Sequence, residues 1–291
     1  SDDGSTAVEV ALKMAYQFFR NRGEDRRLFI GLEHGYHGDT FGAMAAGGTA
    51  AFHEAFRPLF FEVLRAHAPY CHRCPVGLEP GSCSTECSGR IGELLDAHPG
   101  QVAAVILEPM LQGAGGMIVG RPEFLRRARE ACDRHGTLLI ADEVLTGFGR
   151  TGKMFACEHG PVAPDILCVS KALTGGYLPL SATLATEEVY GAFLGKDRSK
   201  ALLHGHSYTA NPLACAVALE SLAILEEEKG LERARALERL YRERLPALRA
   251  LPGVGDVRTI GTAAALELDP SPGPAGQEGY FDAIGPRLHR E

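Results

Sequence analysis

The chain of 291 residues has no tryptophan, no apolar run near the roughly 18 residues of a membrane span, and no basic run longer than Arg26-Arg27 or Arg126-Arg127. With a formal net charge of −7, these absences argue against a nucleic-acid face and against a helix lying on a membrane surface. No repeat of 20 to 50 residues is present, which excludes a solenoid or a propeller. No secretory leader is visible, and the expected location is cytoplasmic. A content of 45% hydrophobic and 23% charged residues leaves a globular protein with a large core, and the length suggests about two domains.

Glycine, by contrast, is in excess: 35 residues, about 12% against an average near 7%. Much of it clusters beside polar residues, where backbone approaches a ligand. The first residue is Ser1 rather than methionine, and Glu291 falls within a helical pattern. The chain is therefore expected to be a piece of a longer protein.

Val8, Leu12, Ala15 and Phe19 form one apolar helical stripe behind the polar turn Ser1 to Thr6. That arrangement puts free N–H groups and a positive dipole end at Gly4 to Thr6. Short apolar strands are expected at Leu28 to Ile30, Val102 to Leu107, Leu138 to Ala141 and Ile166 to Val169, with a helix from Pro122 to about His135. Uniformly apolar strands separated by helices predict an α/β fold whose mostly parallel central sheet is covered on both faces. Helices are expected over Ala210 to about Glu227 and Leu231 to Leu248, then strands at Val254 to Thr259 and Ala263 to Leu268. The expected division is a large domain over 1–225, with a Cys-containing insertion at about 67–90, and the start of a small α+β domain over 226–291. Pro270 to Gly279 reads as a flexible loop.

Asp142 and Lys171 both fall at carboxyl ends of predicted parallel strands, where ligands sit in such sheets. One reading of the pair is a salt bridge. The sharper one is a pyridoxal-phosphate site, because the cofactor's aldehyde needs a lysine amine and its ring nitrogen needs a carboxylate. Gly4-Ser5-Thr6 offers donors for the phosphate, and Tyr36, in a Gly-rich loop, offers a flat partner for the ring. Taken singly, Gly4-Ser5 also reads as an ordinary helix cap and Tyr36 as a surface tyrosine.

Six separated segments resemble, in order, those of the class III (fold-type I) aminotransferases: Ser1 to Ser5, His34 to Thr40, Glu108-Pro109, Ala141 to Gly152, Ser170 to Gly176 and His204 to Tyr208. The resemblance covers roughly residues 1 to 265 and implies a fold-type I pyridoxal-phosphate transferase. It further implies that Lys171 bonds the cofactor and then moves the substrate proton, that Asp142 holds the ring-nitrogen proton, and that Val144 packs on the ring. Gly4 and Ser5 would bind the phosphate. Tyr36 would stack on the ring and touch substrate, with Lys171 and Gly205 also lining the substrate pocket. His206 and Ser207 match a segment that reaches the neighbouring subunit's cofactor phosphate, which implies a homodimer with shared sites. Ser207 stands where the family more often has threonine, and keeps the hydroxyl. The family's N-terminal segment would precede Ser1, and its carboxylate-binding arginine would follow Glu291.

Within the class, Gln112 to Met117, Lys153 to His159 and Leu180 to Leu184 most resemble the biotin-pathway branch. That branch aminates a keto acid, 8-amino-7-oxononanoate, to 7,8-diaminononanoate, with S-adenosylmethionine as the expected amino donor and lysine as the alternative. Other class III activities remain open on sequence, namely an ω-amino-acid or diamine transaminase or an aminomutase. So does a reading of another kind, an inactive fragment or a metal-binding interaction domain.

Cys71, Cys74, Cys83 and Cys87 form C-x2-C-x8-C-x3-C, a spacing that suits zinc, although the gap between pairs is shorter than in common zinc ribbons. Iron–sulfur ligation is a second option. The reading favoured here is a reduced insertion with no metal, near a subunit interface. Cys132, Cys157, Cys168 and Cys215 read as buried small residues, and most of the 11 histidines as surface or packing residues.

Overall fold

The computed structural model describes residues 1–79 and 81–269, so the loop expected at Pro270 to Gly279 lies outside the described residues. Helix α1 (Gly4–Asn21) begins where Asp3 caps it. The Asp3 carboxylate accepts from Thr6 N at 3.0 Å, and the Thr6 hydroxyl answers toward the Asp3 backbone. The expected stripe buries Val8, Leu12, Ala15 and Phe19, joined by Ala7, Ala11 and Phe18.

Among the described residues the strands are β1 (Leu28–Leu32), β2 (Val63–Ala66), β3 (Val102–Leu107), β4 (Leu111–Gln112), β5 (Ile118–Val119), β6 (Leu138–Asp142), β7 (Ile166–Val169), β8 (Ala182–Ala185), β9 (Val254–Ile260) and β10 (Ala263–Leu268). The remaining helices are α2 (Phe41–Ala46), α3 (Ala50–His53), α4 (Gly89–Ala97), α5 (Pro122–His135), α6 (Glu187–Gly191), α7 (Pro212–Glu227) and α8 (Gly230–Arg244). Six strands make the main sheet in the order β2-β1-β3-β6-β7-β8, with every pairing parallel except β7 to β8. The sheet is therefore the mostly parallel, helix-covered one that the apolar strands predict.

Alternate side chains of these strands enter two cores. Phe29, Ile106, Ile140 and Ile166 pack with α1 on one face. Ile30, Val105, Leu107 and Leu139 pack with α4 and α5 on the other. Each fully buried Ile or Leu contributes about 1.5–3 kcal/mol, so both faces commit these strands to the interior.

Two strands of this sheet escape the sequence pattern. Strand β2 carries Arg65, whose guanidinium donates to the carbonyls of Ala45 and Ala46 at 2.5 Å each. Strand β8 is a half-exposed antiparallel edge with no apolar run. Helix ends also move. Asn211 caps α7 through Leu213 N, so that helix starts at Pro212 rather than Ala210. Helix α8 stops at Arg244, because Pro246 cannot continue it and the chain tightens into a 3₁₀ turn over Leu245–Ala250. Residue 225, the expected division, falls in the last turn of α7; beyond α8, β9 and β10 pair as a separate antiparallel sheet.

Beyond β6 the chain is held by Glu143, which is fully buried. Its carboxylate accepts from Thr146 Oγ1 (2.9 Å), Ala156 N (2.7 Å) and Cys157 N (2.8 Å). Truncating it strands two buried N–H groups. Glu143→Ala is expected to cost about 3 kcal/mol in urea unfolding, and a loss under about 1 kcal/mol would show that these bonds do not hold the segment.

Candidate active site

The carboxyl ends of β1, β3, β6 and β7 open onto one cavity of about 770 Å³. The segment after β1 contributes Tyr36 and His37, β3 leads into Glu108, β6 ends on Asp142, and β7 leads into Ser170-Lys171. Gly4 and Ser5, at the start of α1, lie on the same wall with Val144.

Asp142 is 4% exposed and anchored on both oxygens: His37 Nδ1–H donates to Oδ2 at 2.7 Å and Val144 N to Oδ1 at 3.1 Å. The other reading of the pair, an Asp142–Lys171 salt bridge, is not formed: among the described residues the ion pair at Asp142 is with His37. Lys171 opens a 3₁₀ turn with φ of 42°, a left-handed conformation that is uncommon for a side-chain-bearing residue. Its exposed side chain lines the cavity.

The start of α1 is shaped for an anion. Thr6 N and Ala7 N are satisfied by the Asp3 carboxylate and carbonyl, which leaves the Gly4 and Ser5 N–H groups at the positive end of an 18-residue helix. A Cβ on Gly4 would stand 2.5 Å from Val144 Cγ1, and one on Gly38 (φ +119°) would stand 2.3 Å from Ser5 Oγ. Glycine at both positions lets helix, loop and the residue after Asp142 close around one small volume. Ser5 Oγ accepts from Thr40 N at 3.0 Å and lies 2.8 Å from Thr40 Oγ1.

Tyr36 lines the cavity while its ring stacks on His53 at 5.9 Å and meets Phe52 edge-on at 6.0 Å. Burial and the neighbouring Asp39 push its phenol up to about 12. Glu108 accepts from Tyr36 N and Gly113 N, both at 2.9 Å, and so ties two loops together. Burial pushes its carboxyl up to about 7, against the pull of His37 and the two N–H donors.

Residue types in this arrangement fit pyridoxal phosphate: a lysine amine, a buried carboxylate held by a histidine, an aromatic wall and a helix N-terminus share one cavity. The class III aminotransferase family matches residues 1–277. The chain belongs to that family. It is 51% identical over 271 residues to the adenosylmethionine-8-amino-7-oxononanoate aminotransferase of Geobacter sulfurreducens, covering 92% of this chain and 60% of that protein. It is 44% identical to the Methanocaldococcus jannaschii protein of the same name, whose crystal structure superposes with a TM-score of 0.85 over 92% of this chain and 60% of that one. An amine transaminase from an uncultivated Pseudomonas species gives a TM-score of 0.88 at 40% identity, covering 92% of this chain and 61% of that one. The chain thus spans about three fifths of the length of these relatives. Membership of that family implies pyridoxal phosphate as the cofactor.

Lys171, Asp142, Tyr36, Gly4, Ser5 and Val144 therefore come together as the sequence predicts. Gly205, His206 and Ser207 do not; they lie outside the cavity wall on a largely exposed turn, in which Thr209 Oγ1 bonds His206 N and O. Gly205, expected in the substrate pocket, is thus not part of this chain's own pocket wall. His37, Thr40 and Glu108 are the residues that sequence reasoning did not single out. All three stood inside quoted motifs, but only tertiary contact shows His37 on Asp142 and Thr40 on Ser5.

Among the described residues no group of three or more His, Cys, Asp or Glu side chains is placed to hold a metal ion. All eight cysteines are free thiols, and Cys215 is half-buried rather than buried. Cys83 Sγ and Cys74 Sγ instead accept from the nearby Thr85 N and Leu78 N within their own turns.

Gly38→Ala is expected to weaken pyridoxal-phosphate affinity about tenfold, through strain at φ +119° and displacement of Ser5. A titration followed by cofactor absorbance checks this, and an unchanged affinity would remove Ser5 and Gly38 from the phosphate cradle.

Proposed function

We propose that the whole protein transfers an amino group from S-adenosylmethionine to 8-amino-7-oxononanoate, giving 7,8-diaminononanoate for biotin synthesis. The observation that carries the chemistry is the meeting of Lys171, Asp142 and the start of α1 on one cavity. The substrate assignment is supported by the names of relatives 44–51% identical.

When bound, pyridoxal phosphate supplies an aldehyde that takes up the amino group and a ring that withdraws electrons from the substrate carbon. The Gly4 and Ser5 N–H groups, with the Ser5 hydroxyl, would hold its phosphate at the α1 N-terminus. Asp142 would accept the ring N–H, and the 2.7 Å bond from His37 fixes the direction in which that carboxylate points. Val144 and Tyr36 would flank the ring, with Tyr36 also touching substrate. Lys171 Nζ would attach the cofactor and, when free, serve as the general base that moves the substrate proton.

In the whole protein, residues 1–225 form the cofactor-binding large domain and residues from 226 begin the small one. The protein works as a homodimer. Leu203, Tyr208 and Leu213 stand 69–85% exposed beside Gly205, His206 and Ser207, an apolar surface for a second copy. Across it, His206 and Ser207 reach the neighbour's cofactor phosphate and Gly205 its substrate pocket. The eight free thiols support a reducing cytoplasm, and no helix among the described residues is long and apolar enough to cross a membrane. A second reading, an amine transaminase, is favoured by the likeness to the Pseudomonas enzyme.

Three measurements separate these assignments. Lys171→Ala is expected to abolish borohydride trapping of the cofactor, and a trapped adduct in that variant would exclude Lys171. Asp142→Asn is expected to keep the trapped adduct yet slow the first half-reaction about 10²–10³-fold, and near-normal rates would exclude the role given to Asp142. With the full-length protein, S-adenosylmethionine should bleach the visible cofactor band and 8-amino-7-oxononanoate should restore it. Bleaching by lysine instead reassigns the donor; response only to simple amines supports the amine-transaminase reading.

A further inference from the structure

Five charged or hydroxyl-bearing side chains outside the cavity form a closed circuit that returns to its wall. Arg258, on β9 and 11% exposed at its side chain, donates from Nε to Met117 O (3.0 Å) and from Nη2 to Gly116 O (2.8 Å). Its Nη1 reaches Asp256 Oδ2 (3.0 Å) and Glu267 Oε2 (2.5 Å), the latter on β10. Glu267 also accepts from Tyr70 OH at 2.5 Å and from Arg73 Nε at 3.0 Å. Burial opposes ionisation of Glu267, but Tyr70, Arg258 and Arg73 outweigh it and hold its carboxyl down to about 2. The Arg258 guanidinium lies 5.4 Å over the Tyr70 ring, and that ring meets His34 edge-on at 5.9 Å.

The circuit closes through backbone. A Cβ on Gly115 would lie 1.8 Å from His34 O, so the loop that Arg258 grips is pressed on the segment that Tyr70 supports. Ala114 and Tyr36, one and two residues away from this contact, line the cavity. His34 (φ 60°) and Met117 (φ 52°) both sit in the left-handed region, a conformation of order 1–3 kcal/mol that persists only where surroundings enforce it. Tyr70 and Arg73 flank Cys71, which gives the Cys-containing insertion a place in the site that its cysteines do not explain.

We propose that Arg258, Glu267 and Tyr70 are positioning residues: a clamp that fixes the Tyr36 and Ala114 loops and so sets substrate affinity, leaving cofactor attachment to Lys171 untouched. The inference rests on the aminotransferase reading for its substrate arm alone. Its test uses the full-length, cofactor-loaded protein with Arg258→Met, Glu267→Gln and the milder Tyr70→Phe, which keeps the ring on His34. In the resting protein, amide exchange in segments 33–38 and 113–117 should quicken about tenfold in all three, while α1 and β6 exchange as before and the trapped Lys171 adduct is unchanged. With substrates, KM for the keto acid should rise about tenfold and kcat should stay within about threefold, the signature of lost binding rather than lost chemistry. Unchanged exchange in both segments overturns the clamp, as does a rise spread evenly over the molecule, which would mark a purely structural network. The exchange result needs no turnover, so a wrong substrate assignment leaves it readable.

Discussion

The central parallel strands, covered on both faces, leave no place for a polar side chain except where they emerge. This constraint governs the molecule. Strand β3 is apolar from Val102 to Leu107 and turns polar at Glu108; β6 turns polar at Asp142, and β7 gives way to Ser170-Lys171. Because β1, β3, β6 and β7 run parallel and adjacent, those turning points fall on one edge. The requirement that makes the core also gathers the reactive groups.

Buried polar groups at that edge are held rather than merely tolerated. Asp142 has His37 and Val144 N, Glu108 has two backbone N–H groups, and Glu143 has three donors. Each carboxylate thus fastens the segment that supplies its donors, and an orphaned group at this depth would cost more than any one of these bonds contributes. Among the described residues His37 Nε2 is one of six buried side-chain nitrogen or oxygen atoms without a partner, and it stands beside the cavity.

How much of this was legible depended on whether a signal was local. The stripe of α1, the run at β3 and Pro122 at the start of α5 each express a rule that acts over a few residues, and the structure keeps them. Strand β2 was invisible because Arg65 interrupts its pattern, and its place in the sheet is set by β1 and by the carbonyls of Ala45 and Ala46. The four cysteines show a different limit: their spacing alone did not say what the thiols meet, and the structure has Cys74 Sγ and Cys83 Sγ accepting from the nearby Leu78 N and Thr85 N.

By itself the sequence determined the α/β class, the family, and the residue types at the carboxyl edge, because apolar periodicity and motif order are properties of the chain. Only tertiary structure decided that Asp142 pairs with His37 rather than Lys171, that Gly205 to Ser207 lie outside this chain's own cavity, and that Glu267 gathers Tyr70, Arg73 and Arg258. Apart from Arg258 with Glu267, which face each other across a hairpin, those pairings join residues more than a hundred positions apart, or concern surfaces that a single chain leaves open. Distance in space, which no local pattern encodes, settles them.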